Sequence, residues 1–235
     1  MRLLHELRPD ETLVCKGEYH YLKAGKPAGQ TEQWQITRLP DGKEIVRADV
    51  SGANAGGPTH LLTHLQRDMD GRPEWLRMRW ERSDNRAAAQ YTFDEAGVKF
   101  ARQSENHPRR QEVLDIAKGY AVDYHPVIGH DYAWRAYPAH ARGKPWAVPV
   151  FCPDLWADGD EILGGRALRF NVTPRGAEDL TTTLGDFEQA RFFDVTLNDQ
   201  IRAQGWFDEF GVPLRWVYPD KGYDFVLVAY SRPDV

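Results

Sequence analysis

EWLRMRWER, residues 74–82, alternates without a break: Leu76, Met78 and Trp80 fall on one side, Trp75, Arg77, Arg79 and Glu81 on the other. A period of two is strand geometry, because successive side chains of an extended chain point to opposite faces of a sheet. The same period extends outward from this stretch. TLVCKGEYHYL (12–22), QTEQWQITRL (30–39) and KEIVRADVS (43–51) read as three strands, and AAAQYTFDEAGVKFARQ (87–103) as a hairpin about Asp94–Gly97. Between the second and third, Pro40-Asp41-Gly42-Lys43 is a turn, since Gly42 takes positive φ without steric penalty. Near the C-terminus, residues 201–231 give three more strands, joined at Glu209–Gly211 and Pro219–Gly222. Pro213, near the start of its strand, marks an edge or a bulge.

Helical signals are few. RRQEVLDIAKGY (109–120) offers Val113, Leu114 and Ala117, with Gly119 as a C-terminal stop, and is expected to be a short helix. TPRGAEDLTTTLGD (173–186) reads as a loop. GGPTHLLTHLQRDMDG (56–71) fits a helical turn or a strand, its Leu61/Leu65 and His60/His64 pairs suiting the former.

The totals bound the function. At 235 residues, with 41% hydrophobic and 12% aromatic residues, the chain can bury a core. A net charge of −5 argues against nucleic acid as a partner. No run of apolar residues is long enough to span a membrane, and MRLLHELRPDETLVC has no secretory h-region. Cys15 and Cys152 are therefore expected to be free thiols and the protein cytoplasmic. Gly52–Gly57 lacks the lysine of a P-loop, no G-x-S-x-G elbow occurs, and His60/His64 lack the glutamate of a zinc-protease motif. No metal and no cofactor are expected.

The densest chemistry is YHPVIGHDYAWRAYPAH (124–140), with His125, His130, His140 and Asp131 among Tyr124, Tyr132, Trp134 and Tyr137. Two roles fit these residue types. An imidazole oriented by a neighbouring carboxylate is a general base, which makes His125, His130 and Asp131, with Asp123 as the other partner, candidate catalytic residues. Alternatively, rings with polar tips line a binding site, which makes Tyr124, Trp134 and Tyr137 candidate ligand contacts. Arg77 and Arg79 face water if the sheet curves away from them. Facing a cavity, they would grip a carboxylate or phosphate, and they stand as the candidate anion contacts.

The run GWFDEFGVPLRWVYPDKG (205–222) resembles a pattern of bacterial LolA/LolB-like half-barrel proteins and related β-rich families, and residues Gly17 to Asp49 are similar to their opening meander. The resemblance implies a curved antiparallel sheet around an apolar cavity, closed on one side by helices and loops. In the lipoprotein carriers that cavity holds acyl chains. It lends Asp208, Pro213, Leu214 and Arg215 a framework role.

The expected fold is mainly β: one domain over 1–235, a strongly curved antiparallel sheet, half-barrel or barrel-like, with one or two short helices. Residues 105–160, rich in proline and aromatics, are expected to connect the strand blocks and cover the open side. The expected function is binding of a small amphipathic or anionic lipophilic molecule in an apolar cavity. The rival is an enzyme with a His/Asp acid–base pair, hydrolysing, hydrating or isomerising a small lipophilic substrate. A third option is a self-associating β protein whose aromatics form an interface.

Overall fold

Alternation builds the first half strand by strand: β1 (Thr12–Lys23), β2 (Lys26–Arg38), β3 (Glu44–Asn54), β4 (Gly57–Arg67), β5 (Pro73–Arg82), β6 (Asn85–Asp94), β7 (Gly97–Ser104) and β8 (His107–Asp115). A connecting stretch follows, with the two-residue β9 (Ala121–Val122), several 3-10 turns and the single-turn α1 (Tyr132–Arg135). The second half runs through β10 (Trp146–Asp154), β11 (Gly164–Thr182), β12 (Gly185–Leu197), β13 (Gln200–Phe207), β14 (Pro213–Tyr218) and β15 (Tyr223–Ser231). These elements come from a computed structural model, which describes residues 7–54, 57–82, 85–157 and 159–233.

All fifteen strands form one sheet, ordered from β8 back to β1, then from β15 back to β9. Every neighbouring pair is antiparallel except β9 with β10. The join of the two halves is β1 against β15, which brings the first strand beside the last. Register shifts at Leu13/Cys15, Glu18/Tyr19 and His20/Leu22 in β1 mark bulges, and bulges increase local twist and bend a strand.

The sheet curls without closing. Its two ends meet through side chains instead of a hydrogen-bonded ladder: the Phe151 ring of β10 sits 5.3 Å from Tyr91, 5.8 Å from Phe93 and 6.3 Å from Phe100. Tyr91 Oη donates to the Leu163 carbonyl at 2.6 Å. Arg102 adds a bond to the Ile162 carbonyl and reaches Glu161. Inside, Leu76, Met78 and Trp80 join one continuous core with Tyr19, Trp34, Phe170 and Trp216. Among the described residues no helix is long and apolar enough to cross a membrane.

Two segments depart from expectation, and a third takes one of the two forms expected of it. Residues 109–115 are strand, not helix: β8 pairs with β7, Leu114 opposite Val98. Within this stretch the half-buried positions, Glu112 and Leu114, lie two apart, so the ladder overrides the apparent helical spacing. Residues 173–182 and 185–186 are strand, not loop, and form the outer part of the β11–β12 hairpin. The sequence hid this because the hairpin tip is mostly exposed and carries a bulge at Pro174/Gly176, where a proline and a positive-φ glycine fit. The 56–71 region is the strand β4 and the turn after it; residues 55 and 56 lie outside the described residues. Positions four apart share a face on a strand as they do on a helix, which is why Leu61/Leu65 suited both. Pro213 does sit at a bulge, opposite Phe207.

The expected covering segment is shorter than 105–160, because β8 and β10 take its two ends. What remains dives into the curl: Val127 to Ala133 are all buried. Two anchors hold it. Glu32 of β2 accepts the Val127 and Ile128 amides at 2.7 and 3.1 Å. Arg67 of β4 donates to Asp131 at 2.5 Å, and Arg135 meets the same carboxylate oxygen at 2.6 Å.

Candidate functional site

His130 and Asp131 are adjacent in the buried segment yet line different hollows. His130 opens on a cleft of about 340 Å³, Asp131 on a hollow of about 590 Å³ on the other side. Size does not choose between them; chemistry does. In the larger hollow Arg67, Asp131, Arg135 and Glu44 neutralise one another through short ion pairs. Against the effect of burial, Arg67 and Arg135 hold the Asp131 carboxyl below its ordinary range. That cluster is a clamp on the buried segment.

The smaller cleft collects rings and cations. Trp80 and Leu61 from β5 and β4, Leu168 and Phe170 from β11, and Phe225 from β15 supply its apolar wall. Trp156 stands at its mouth, 70% exposed, with its ring 6.4 Å from that of His125. Two polar chains reach it from the buried segment. In the first, Asp123 Oδ1 lies 2.6 Å from His130 Nδ1, and His130 Nε2 lies 3.1 Å from the Tyr218 hydroxyl. A carboxylate only accepts, so Nδ1 of His130 donates to it. The imidazole stacks on Trp216 at 4.6 Å, and Trp216 in turn rests on Gly205, where a Cβ would come within 2.5 Å of the indole.

In the second chain, Tyr21 Oη donates to Glu32 Oε2 at 2.8 Å and sits 3.3 Å from His125 Nε2. Burial lowers the His125 pKa to about 3, with the nearby His130 adding to it, so this imidazole is neutral at physiological pH. Burial raises Glu32 to about 7, against the pull of the Ile128 and Val127 amides and Tyr21. The two imidazoles stand 6.5 Å apart, centroid to centroid.

Four cations rim the cleft: Arg82, Arg166, Arg202 and Lys221. Arg202 and Lys221 lie over the Tyr218 ring, 5.8 and 5.9 Å from its centroid.

The residues singled out from sequence are thus dispersed. His125 and His130 share the cleft; Asp131 does not, and Asp123 is the carboxylate on His130. Arg77 and Arg79 are exposed on the opposite face of β5, beside His64 and Gln90. Tyr124 is buried in the core, Trp134 belongs to the other hollow, and Tyr137 bonds the Lys144 carbonyl. Arg82 was not among the site residues singled out from sequence, although parity marks it: it continues the row Leu76, Met78, Trp80 that faces inward. Arg166 extends the row of Leu168 and Phe170 in the same way. Arg202, Lys221 and Tyr218 carried no such signal, since a turn brings them together. Cys15 and Cys152 are both unpaired; burial pushes the Cys15 thiol up to about 12 and raises that of Cys152 well above its ordinary value. Among the described residues, no three His, Cys, Asp or Glu side chains gather as a metal-ligand set.

No protein-family model matches the chain, and no curated protein matches it. Solved structures do. A DUF1089 family protein from Pseudomonas aeruginosa superposes with a TM-score of 0.54 at 18% identity, over 83% of this chain and 92% of that one. A beta-barrel-like protein of the domain of unknown function DUF1849, from Brucella abortus, superposes with a TM-score of 0.50 at 13% identity, over 94% and 98%. At such identities the likeness is one of fold: this chain is similar to β-barrel-like proteins along nearly its whole length.

Proposed function

We propose that the protein binds a small amphipathic molecule in the cleft beside His125 and His130. One observation carries this reading: a concave wall of Trp80, Leu61, Leu168, Phe170 and Phe225 lies beneath a rim of polar and cationic groups. Small-molecule sites are mostly apolar with a few oriented polar groups, in volumes of roughly 300–1,000 Å³. The cleft is at the lower end, which suits a ligand of modest size. The acyl-chain cavities of half-barrel carriers are an analogy for this use, and fold analogy alone does not assign it.

The test is a titration with N-phenyl-1-naphthylamine, a neutral probe whose fluorescence rises in apolar surroundings. Wild type is expected to bind it saturably. Leu168→Trp, which fills the cleft, is expected to weaken binding by at least about tenfold, the equivalent of ~1.4 kcal/mol. Equal binding by both proteins would place the probe elsewhere and sink the proposal.

A second reading rests on the Asp123–His130–Tyr218 chain, which has the geometry of an oriented acid–base pair. In an enzyme that hydrolyses, hydrates or isomerises a small lipophilic substrate, His130→Asn would remove on the order of 10²–10⁴ in rate. Esterase turnover of p-nitrophenyl esters by wild type and His130→Asn separates the readings. A binding protein shows the same background with both.

A further inference from the structure

Two cations at the cleft make no ion pair among the described residues. Among the described residues neither Arg202 nor Lys221 pairs with a carboxylate, and both lie against one face or edge of the same phenol, that of Tyr218. Arg166 lines the same cleft and spends one bond, at 2.9 Å, on Asp154. Burial lowers the Lys221 pKa, and the positive charges of Arg202 and Arg166 lower it further, against Asp220. Both arginines thus act on Lys221 as like charges. The carboxylates near this rim are Asp123, which lines the cleft and is bonded to His130, Asp154, already on Arg166, and Asp220, next to Lys221 in the chain; none of them makes an ion pair with Arg202 or Lys221. Elsewhere the protein matches its inward cations closely, as Arg47 with Glu11 and Arg67 with Asp131 and Glu44 show. Uncompensated positive charge beside a hollow is what an anion site requires before its anion arrives. Guanidinium groups suit oxyanions because they offer paired N–H donors.

We propose that Arg166, Arg202 and Lys221 form a subsite, at the Tyr218 end of the cleft, for the oxyanion head group of an amphipathic ligand. The inference rests on the binding reading above and adds the charge and the orientation of the ligand: its apolar body lies toward Trp80 and Phe170, its carboxylate, phosphate or sulfonate toward Tyr218. Arg77 and Arg79, on the other face of the sheet, take no part.

Paired probes test it. The anionic 8-anilinonaphthalene-1-sulfonate and the neutral N-phenyl-1-naphthylamine differ chiefly in the head group. Arg202→Gln and Lys221→Gln are each expected to weaken binding of the sulfonate by about 10- to 100-fold, the usual weight of a hydrogen bond to a charged group. Binding of the neutral probe is expected to stay within about twofold, and Arg77→Gln to change neither. Decanoate and decyl phosphate are expected to displace the sulfonate, and their relative strength names the preferred oxyanion. Unchanged sulfonate binding in both cleft variants would overturn the subsite while leaving the cleft reading intact. A loss seen instead in Arg77→Gln, or displacement by neither anionic amphiphile, would also overturn it. If wild type bound neither probe, the cleft reading and the subsite would fall together.

Discussion

Glu32 is a carboxyl sealed inside the protein, and its titration is an observable of the folded state. Burial raises its pKa to about 7, against an ordinary value of 4.5. A carboxyl whose folded pKa lies above its unfolded one holds its proton more tightly when folded. Its contribution is fully present below pH 4.5 and is lost as pH rises through 7. Relative to Glu32→Gln, wild type is therefore expected to lose roughly 3 kcal/mol of stability between pH 4.5 and 8, read from urea unfolding at a series of pH values. His125 acts in the opposite sense. Its folded pKa of about 3 lies below the ordinary 6.5, so its stability is present above pH 6.5 and lost as pH falls toward 3. Both proteins keep His125, so its slope cancels in the difference. A pH-independent difference would show that burial does not raise the Glu32 pKa. At this scale the sequence offered residue types without neighbours. Tyr124, Trp134 and Asp131 sit in the same seventeen-residue stretch as His125 and His130 but point to other places, because a tight run of 3-10 and α turns sends successive side chains in different directions.

Among the elements, the buried segment is the one whose position depends on polar bonds. Asp131 is held between Arg67 and Arg135, and Arg67 also reaches Glu44 of β3. Removing one partner from a buried ion cluster leaves a charge without compensation, at a cost of about 3–5 kcal/mol. Arg67→Met is thus expected to lower unfolding stability by that order and to weaken probe binding in the cleft, since the same segment carries His125 and His130. A loss below about 1 kcal/mol, within the range of exposed ion pairs, would show that the clamp does not hold the segment. Strands were legible wherever one face was wet and the other buried, as in β5 and β6, whose burial alternates residue by residue. They were not legible where both faces are wet. The β11–β12 tip and the edge strand β8 have little apolar row to reveal the period.

For the whole molecule, one curled sheet explains both what was readable and what was not. Local alternation predicts strands and a mainly β domain, and the structure agrees. It does not predict that β15 returns to β1, nor that Phe151 of β10 lands on the inner rings of β6 and β7. Those contacts join residues far apart in the chain, and they decide which side chains share a hollow. The cleft is a product of that curling: its apolar wall draws on β4, β5, β11 and β15, and its polar groups on the buried segment, on β5, β11, β13 and β14, and on the turn after β14. A parity rule read along one strand finds Arg82 and Arg166 but cannot find the partners that curling supplies. Photolabelling distinguishes a ligand held in this cleft from one held in the hollow beyond the buried segment. A neutral alkyl diazirine would be bound to the wild-type protein, irradiated, and its adducts mapped by peptide mass spectrometry. Adducts are expected in residues 155–157, 159–170 and 223–225, with protection by N-phenyl-1-naphthylamine. Adducts concentrated instead about Met69, Trp134 and Phe210, which line the other hollow, would contradict the cleft reading.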